Sequence, residues 1–265
     1  MHVLLEVLSR GVRVYLLYDP LEGRPPESLL ETFKAQGGVA AEYCPDGLSC
    51  YNFRNHRKVV VVDGRYAFLG GFNVGDEYLS LQQETSPWRD THFALRGPAV
   101  VDIQLAFVED FSLSGETPHV TWNAFEREVG STDCSVVCSG PYHHVSRCRH
   151  IFLHALAQAS RRVWLATPFF APDEAGAVAL EQAVMRGVEV IVILPRASEV
   201  AVADLLSWTY VEQLLPLGVK FFRFREGSMH QKVLLVDDDI VVAGSANYDF
   251  RSFHLNHEIV LWAND

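Results

Sequence analysis

The chain has 265 residues, of which 49% are hydrophobic and 21% charged, the balance of a globular protein and far from that of a disordered one. Its formal net charge is −11, which argues against nucleic acid as a partner, because proteins that neutralise nucleic-acid phosphates are usually basic. The length suits one large domain or two of about 130 residues, each able to build a core.

In chain order, the residues before Gly11 have an amphipathic helical pattern, and Gly11-Val12-Arg13-Val14 opens an apolar run. That reads as helix, tight turn, then buried strand. His56-Arg57-Lys58 leads into four valines, a strand read as buried on both faces, and Asp63-Gly64 is a hairpin-turn signal. The return strand from Tyr66 carries Gly71 and Asn73 back towards the His and Lys. Trp88-Arg89-Asp90 opens a further strand, and Gly97 to Phe111 reads as a helix. The polar stretch 112–132, with Gly115, Pro118 and Gly130, reads as a linker.

Beyond it come a strand (Ser135 to Cys138), a helix (about Arg149 to Ser160) and a strand (Arg162 to Thr167). Gly187-Val188-Glu189-Val190 then repeats the earlier Gly-Val unit. The five cysteines, Cys44, Cys50, Cys134, Cys138 and Cys148, form no Cys-x-x-Cys pair and have no His pair at zinc spacing. They read as small apolar residues in a reducing compartment, without a disulfide framework. No apolar run approaches the roughly 18 residues of a membrane span, and His2 to Leu8 lacks a basic flank and cleavage site. As given, the chain is expected to be soluble or peripheral.

The strongest feature is an internal duplication. His56, Lys58, Asp63, Gly71 and Asn73 recur as His230, Lys232, Asp237, Ser245 and Asn247, with one offset throughout. Asp90 has a counterpart in Glu258 after a six-residue shift of register. The repeat divides the chain into 1–111, the linker 112–132 and 133–265. The first half lacks the opening strand, helix and strand of the second, so elements are expected to be missing at its N-terminus. The second half ends soon after Glu258, so the helix after the Asp90 strand has no counterpart there.

Alternate residues of a strand share a face, so each His points the same way as its Lys, at one sheet edge with the returning Asn. Two such edges facing one another would hold a phosphate. Two lysines and two asparagines can bind non-bridging oxygens where charge develops. One His can attack phosphorus, and the other can protonate the leaving alkoxide and later deprotonate the acceptor. The constellation needs no metal or other cofactor. Asp63 and Asp237, at hairpin tips, read as turn and scaffold residues. Asp90 and Glu258 can orient a histidine by accepting its Nδ1 proton, or be ordinary strand-end charges. His92, His254 and His257 read as structural.

These residues resemble the phospholipase D superfamily, whose His-x-Lys-x4-Asp signature appears here twice. Arg54 to Lys58, Gly70 to Tyr78, Trp88 to His92, Thr167 to Asp173 and Gly244 to Phe253 narrow the similarity to bacterial cardiolipin synthases. The resemblance implies an α/β fold, with two homologous halves whose mixed sheets pack around a shared cleft. It implies transfer of a phosphatidyl group from phosphatidylglycerol to a second phosphatidylglycerol, giving cardiolipin and glycerol. His56 would be the nucleophile and His230 the acid and base. Lys58, Lys232, Asn73, Ser245 and Asn247 would bind phosphate, while Asp90 and Glu258 orient the histidines. The signature groups Asp63 and Asp237 with the catalytic His and Lys. The partners implied are an anionic phospholipid and a membrane surface, with peripheral placement at a bacterial cytoplasmic membrane. The two anchor helices many of these synthases carry are not in this sequence. Two alternatives stand beside this reading: a phospholipase D using water or another alcohol, and an inactive lipid-binding remnant.

Overall fold

The computed structural model describes residues 1–43, 51–81, 87–123, 130–196 and 201–264. Cys44, Cys50 and part of the expected linker lie outside them. The first half runs α1 (His2–Ser9), β1 (Tyr15–Tyr18), α2 (Glu27–Ala35), β2 (Val39–Glu42), β3 (Val59–Val62), β4 (Tyr66–Gly70), β5 (Trp88–Arg89), β6 (His92–Arg96) and α3 (Ala99–Ser112). The second opens with β7 (Asp133–Ser139), α4 (Arg147–Gln158), β8 (Arg162–Ala166), β9 (Phe170–Ala171), α5 (Glu174–Met185), β10 (Glu189–Pro195) and α6 (Ala201–Leu214). It closes with β11 (Lys220–Phe224), β12 (Ser228–Met229), β13 (Val233–Val236), β14 (Ile240–Gly244), β15 (Tyr248–Asp249), α7 (Phe250–His254) and β16 (Glu258–Asn264).

The α/β class and the mixed sheets that the resemblance implies are present. Among the described residues one sheet has seven strands in the order β11-β10-β8-β13-β14-β16-β7. β8, β10 and β11 run parallel, and the remaining pairings are antiparallel. Local chemistry explains the joints. Asp173 caps α5 by accepting the Gly176 N–H at 2.8 Å, and Gly187 (φ 85°) lets the chain turn from α5 into β10. Gly11 (φ 80°) makes the same turn after α1.

Among the described residues two apolar clusters bear on the site. One lies under the seven-stranded sheet, where Phe152 and Leu156 of α4 meet Val163, Leu165, Leu234 and Val236. The other joins the halves: Ala67 and Leu69 of β4 and Val100 and Ile103 of α3 pack with Ile259 and Leu261 of β16. Burying side chains of this size stabilises by about 1.5–3 kcal/mol each. β16, a strand of the second half, is therefore part of the first half's core.

One expectation about β3 is corrected. Val59 and Val61 face the shared core, whereas Val60 and Val62 are exposed. Their counterparts Leu234 and Val236 are covered by α4, and β13 pairs with β8 on one side and β14 on the other. Among the described residues β3 pairs only with β4. Valine runs report strand propensity; whether the second face is covered depends on what packs there.

The segment after α3 is pinned to the first half. Gln104 donates to the Thr121 carbonyl at 3.0 Å, and the His119 N–H donates to Tyr15 Oη at 3.1 Å.

Candidate active site

Each histidine stands where a short parallel strand contact joins the two halves. The chain entering β3 bridges in parallel to the chain entering β16, at Asn55 and His257. The His257 N–H donates to the Arg54 carbonyl at 2.8 Å, and the His56 N–H to the His257 carbonyl at 3.0 Å. This places Glu258 beside His56, with Nδ1 3.0 Å from both carboxylate oxygens. The other copy uses the same device. β12 pairs in parallel with β5, the His230 N–H donates to the Arg89 carbonyl at 2.8 Å, and His230 Nδ1 lies 2.7 Å from Asp90 Oδ2.

The carboxylate of each half thus meets the histidine of the other. With Nδ1 engaged, Nε2 is the nitrogen left for chemistry on both rings. Lys58 Nζ donates to the His56 carbonyl at 2.7 Å, and Lys232 Nζ to the His230 carbonyl at 2.6 Å, so each ammonium is tied beside its own histidine.

Glu258 is fully buried and held at several points. Ser245 Oγ donates to Oε2, while Ser252 Oγ and Asn256 Nδ2 donate to Oε1 at 2.8 Å and 3.3 Å. Burial works against its charge, but His56, Lys58 and the Ser245 hydroxyl outweigh it and bring its pKa to about 2. Burial lowers Lys58 to about 8 and Lys232 to about 7, against the pull of Glu258 and Asp90. His230 is brought down to about 4 by burial and by Lys232, against the Asp90 hydrogen bond.

In the first copy a glycine makes room for the carboxylate. A Cβ on Gly71 would meet Asp90 Oδ1 at 2.1 Å, so the absence of a side chain there lets the carboxylate approach. In the second copy the same register holds Ser245, whose hydroxyl bonds to Glu258. Ser245, expected among the phosphate ligands, is fully buried, and its hydroxyl donates to Glu258.

Asn247 is buried, with its N–H on Ser252 Oγ at 3.0 Å, whereas Asn73 is exposed and donates to Tyr78 Oη at 2.6 Å. Asp63 and Asp237 sit at the far ends of β3 and β13 from the lysines. Asp237 accepts the N–H groups of Ser160, Arg161 and Arg162 at 2.8–3.0 Å and the Ser160 hydroxyl, which ties the β13–β14 hairpin to the start of β8. These hydrogen bonds outweigh its modest burial and hold its carboxyl well below the usual range.

Several neighbours were not singled out from the sequence. Tyr78 and Trp88 place their rings 5.7 Å and 5.6 Å from that of His230. Arg57, on the opposite side of the strand from His56, pairs with Asp110 at 2.8 Å and donates to the Ser139 and Glu258 carbonyls, both at 3.1 Å. His257 lies 3.6 Å from Asp110, and burial, which opposes the charge on Asp110, is outweighed there by His257 and Arg57. An arginine alternating with two motif residues was the available signal for such an anchor. Among the described residues no cluster of His, Cys, Asp and Glu is arranged to hold a metal ion.

A duplicated α/β frame with paired His and Lys at facing edges defines the phospholipase D-like class. The chain belongs to the family described as "Cardiolipin synthase, PLD-like domain", which matches residues 1–90 and 152–265. Cardiolipin synthase A of Pseudomonas putida is 40% identical over 269 residues, covering 99% of this chain and 56% of that protein. Cardiolipin synthase A of Pseudomonas aeruginosa is 41% identical over 267 residues, covering 98% and 54%. The chain therefore spans about half the length of the curated relatives it matches. A crystal structure of phosphatidylserine synthase from Haemophilus influenzae shares the fold, with a TM-score of 0.67 and 13% identity over 95% of this chain and 69% of that one.

Proposed function

We propose that this chain carries a phosphatidyl-transfer site working through a covalent phosphohistidine, with cardiolipin and glycerol formed from two phosphatidylglycerol molecules. The observation that carries the reading is the pair of imidazoles, each held at Nδ1 by a carboxylate of the opposite half and each next to a lysine.

In the first step, Nε2 of one histidine attacks phosphorus, a P–N bond forms, and the P–O bond to the glycerol headgroup breaks. The second histidine gives its proton to the departing alkoxide. In the second step it takes the proton from a headgroup hydroxyl of the incoming phosphatidylglycerol. That oxygen attacks phosphorus, the P–N bond breaks, and both histidines return to their starting states. Lys58 and Lys232 would balance charge on the non-bridging oxygens. The resemblance makes His56 the nucleophile.

The partners follow from the reaction: an anionic phospholipid, met at the surface of a bacterial cytoplasmic membrane. Among the described residues no helix is long and apolar enough to cross a membrane. The test is product analysis with phosphatidylglycerol in detergent micelles. The parent should release cardiolipin and glycerol, and His56→Ala and His230→Ala should each lose activity by about a thousandfold or more. Phosphatidic acid without cardiolipin would transfer the reading to a hydrolase, and no turnover would favour the lipid-binding remnant. Mapping the acid-labile phosphate in quenched protein then decides which histidine attacks.

A further inference from the structure

The loop after β4 and the start of α6 expose apolar side chains at the edge that carries the candidate site. Val74 is 99% exposed, Leu79 70% and Leu81 67%. The second copy of the repeat shows that this is not a property of the motif. At the register of Val74 it has Tyr248, which is 1% exposed and packed in the core. One copy buries this apolar position and the other displays it.

The loop is also a wall of the site. Its Tyr78 holds Asn73 and sets its ring against His230 and Trp88. On the second half, α6 leaves β10 at the end of the sheet where Ala166 of β8 pairs with Val233, one residue from Lys232. Ser207, Val211 and Leu214 turn the inner face of α6 to the protein. Val202, Leu205 and Leu206, in its first turns, are exposed at i, i+3, i+4 spacing. Exposed apolar clusters flanking a site mark an interaction surface.

We propose that Val74, Leu79, Leu81, Val202, Leu205 and Leu206 form the face by which the chain docks on a lipid bilayer, with the mouth of the site turned to the headgroups. The choice of a bilayer rests on the proposed function, in which the substrate of the adjoining site is itself a membrane phospholipid. The attachment is apolar rather than coulombic. The chain carries a net charge of −11 and the loop itself contains Asp76 and Glu77, so anionic lipid is not what attracts it. Side chains of this kind bind by entering the boundary between headgroups and chains.

The test is flotation of the whole chain with vesicles of phosphatidylcholine alone, and of phosphatidylcholine with phosphatidylglycerol, at low and high salt. The parent should float with both at either salt. Val74→Asp/Leu79→Asp/Leu81→Asp should bind at least about tenfold more weakly while keeping the parent's melting temperature. Val202→Asp/Leu205→Asp is the second variant, and it should weaken flotation in the same direction. Turnover of a short-chain, monomeric phosphatidylglycerol should stay near the parent rate in Val202→Asp/Leu205→Asp. The docking surface is overturned if the parent stays unbound, if both folded variants float like the parent, or if binding vanishes at high salt. It is also overturned if the variants dissociate a lipid-free oligomer, since the face would then join copies of the chain. His56→Ala should float like the parent. Flotation without turnover by the parent would sink the proposed reaction and leave the docking surface standing.

Discussion

Gly71 and Ser245 occupy one register of the repeat and solve one problem in two ways. The aspartate in the first half must come close to reach its histidine, and glycine leaves the space. The glutamate in the second half is longer, and a serine hydroxyl braces it. Gly71→Ala would place a methyl group against the Asp90 carboxylate, where the contact is 2.1 Å. The expected result is a fall in kcat of about a hundredfold with little change in KM, because a displacement near 1 Å of an orienting group costs that much. Steady-state kinetics beside a thermal melt checks it. The lysines set a pH limit at the same scale. A lysine is charged below its pKa, and burial brings Lys232 to about 7 and Lys58 to about 8, so the protein loses positive charge beside the two histidines as pH rises through that range. kcat/KM for phosphatidyl transfer should therefore decline from pH 7 upwards. A profile flat to pH 9 would count against the two ammonium groups as phosphate ligands.

At the scale of elements, the hairpins separate scaffold from chemistry. Asp63 and Gly64 both have left-handed backbones (φ 53° and 61°), which an Asp-Gly turn accommodates, and the Arg65 N–H closes it on the Val62 carbonyl at 3.0 Å. Asp237 is left-handed too, and it gathers three backbone N–H groups from the start of β8. Asp237→Ala should cost about 2 kcal/mol, from charged hydrogen bonds lost to backbone donors, and lower Tm by roughly 4–8 °C. The transfer rate per folded molecule should stay within about twofold of the parent, a combination that calorimetry and an assay below the melt would show. The hairpins were legible in the sequence because turn residues act locally. The exposure of Val60 and Val62 was not, since it depends on which element lies over them.

At the scale of the whole molecule, the halves are joined through the site. Arg57 reaches from the first motif to Asp110 on α3, to Ser139 at the end of β7 and to Glu258 at the start of β16. Arg57→Met removes the cation and leaves Asp110 buried without it, which should destabilise the protein by about 3–5 kcal/mol. A denaturant titration should show the loss, with β3, α3 and β16 losing hydrogen-exchange protection together.

The sequence by itself determined the duplicated His, Lys and Asn and the family. Those features rest on residue identity and two-residue strand periodicity, which are local. Only the tertiary structure decided that Glu258 serves His56 and Asp90 serves His230, partners 202 and 140 positions apart. It also decided that Ser245 braces a carboxylate and that one copy of the repeat displays what the other buries. The reason is physical: a side chain's type and phase are written along the strand, but its partner is set by strands that meet only when the halves close on each other.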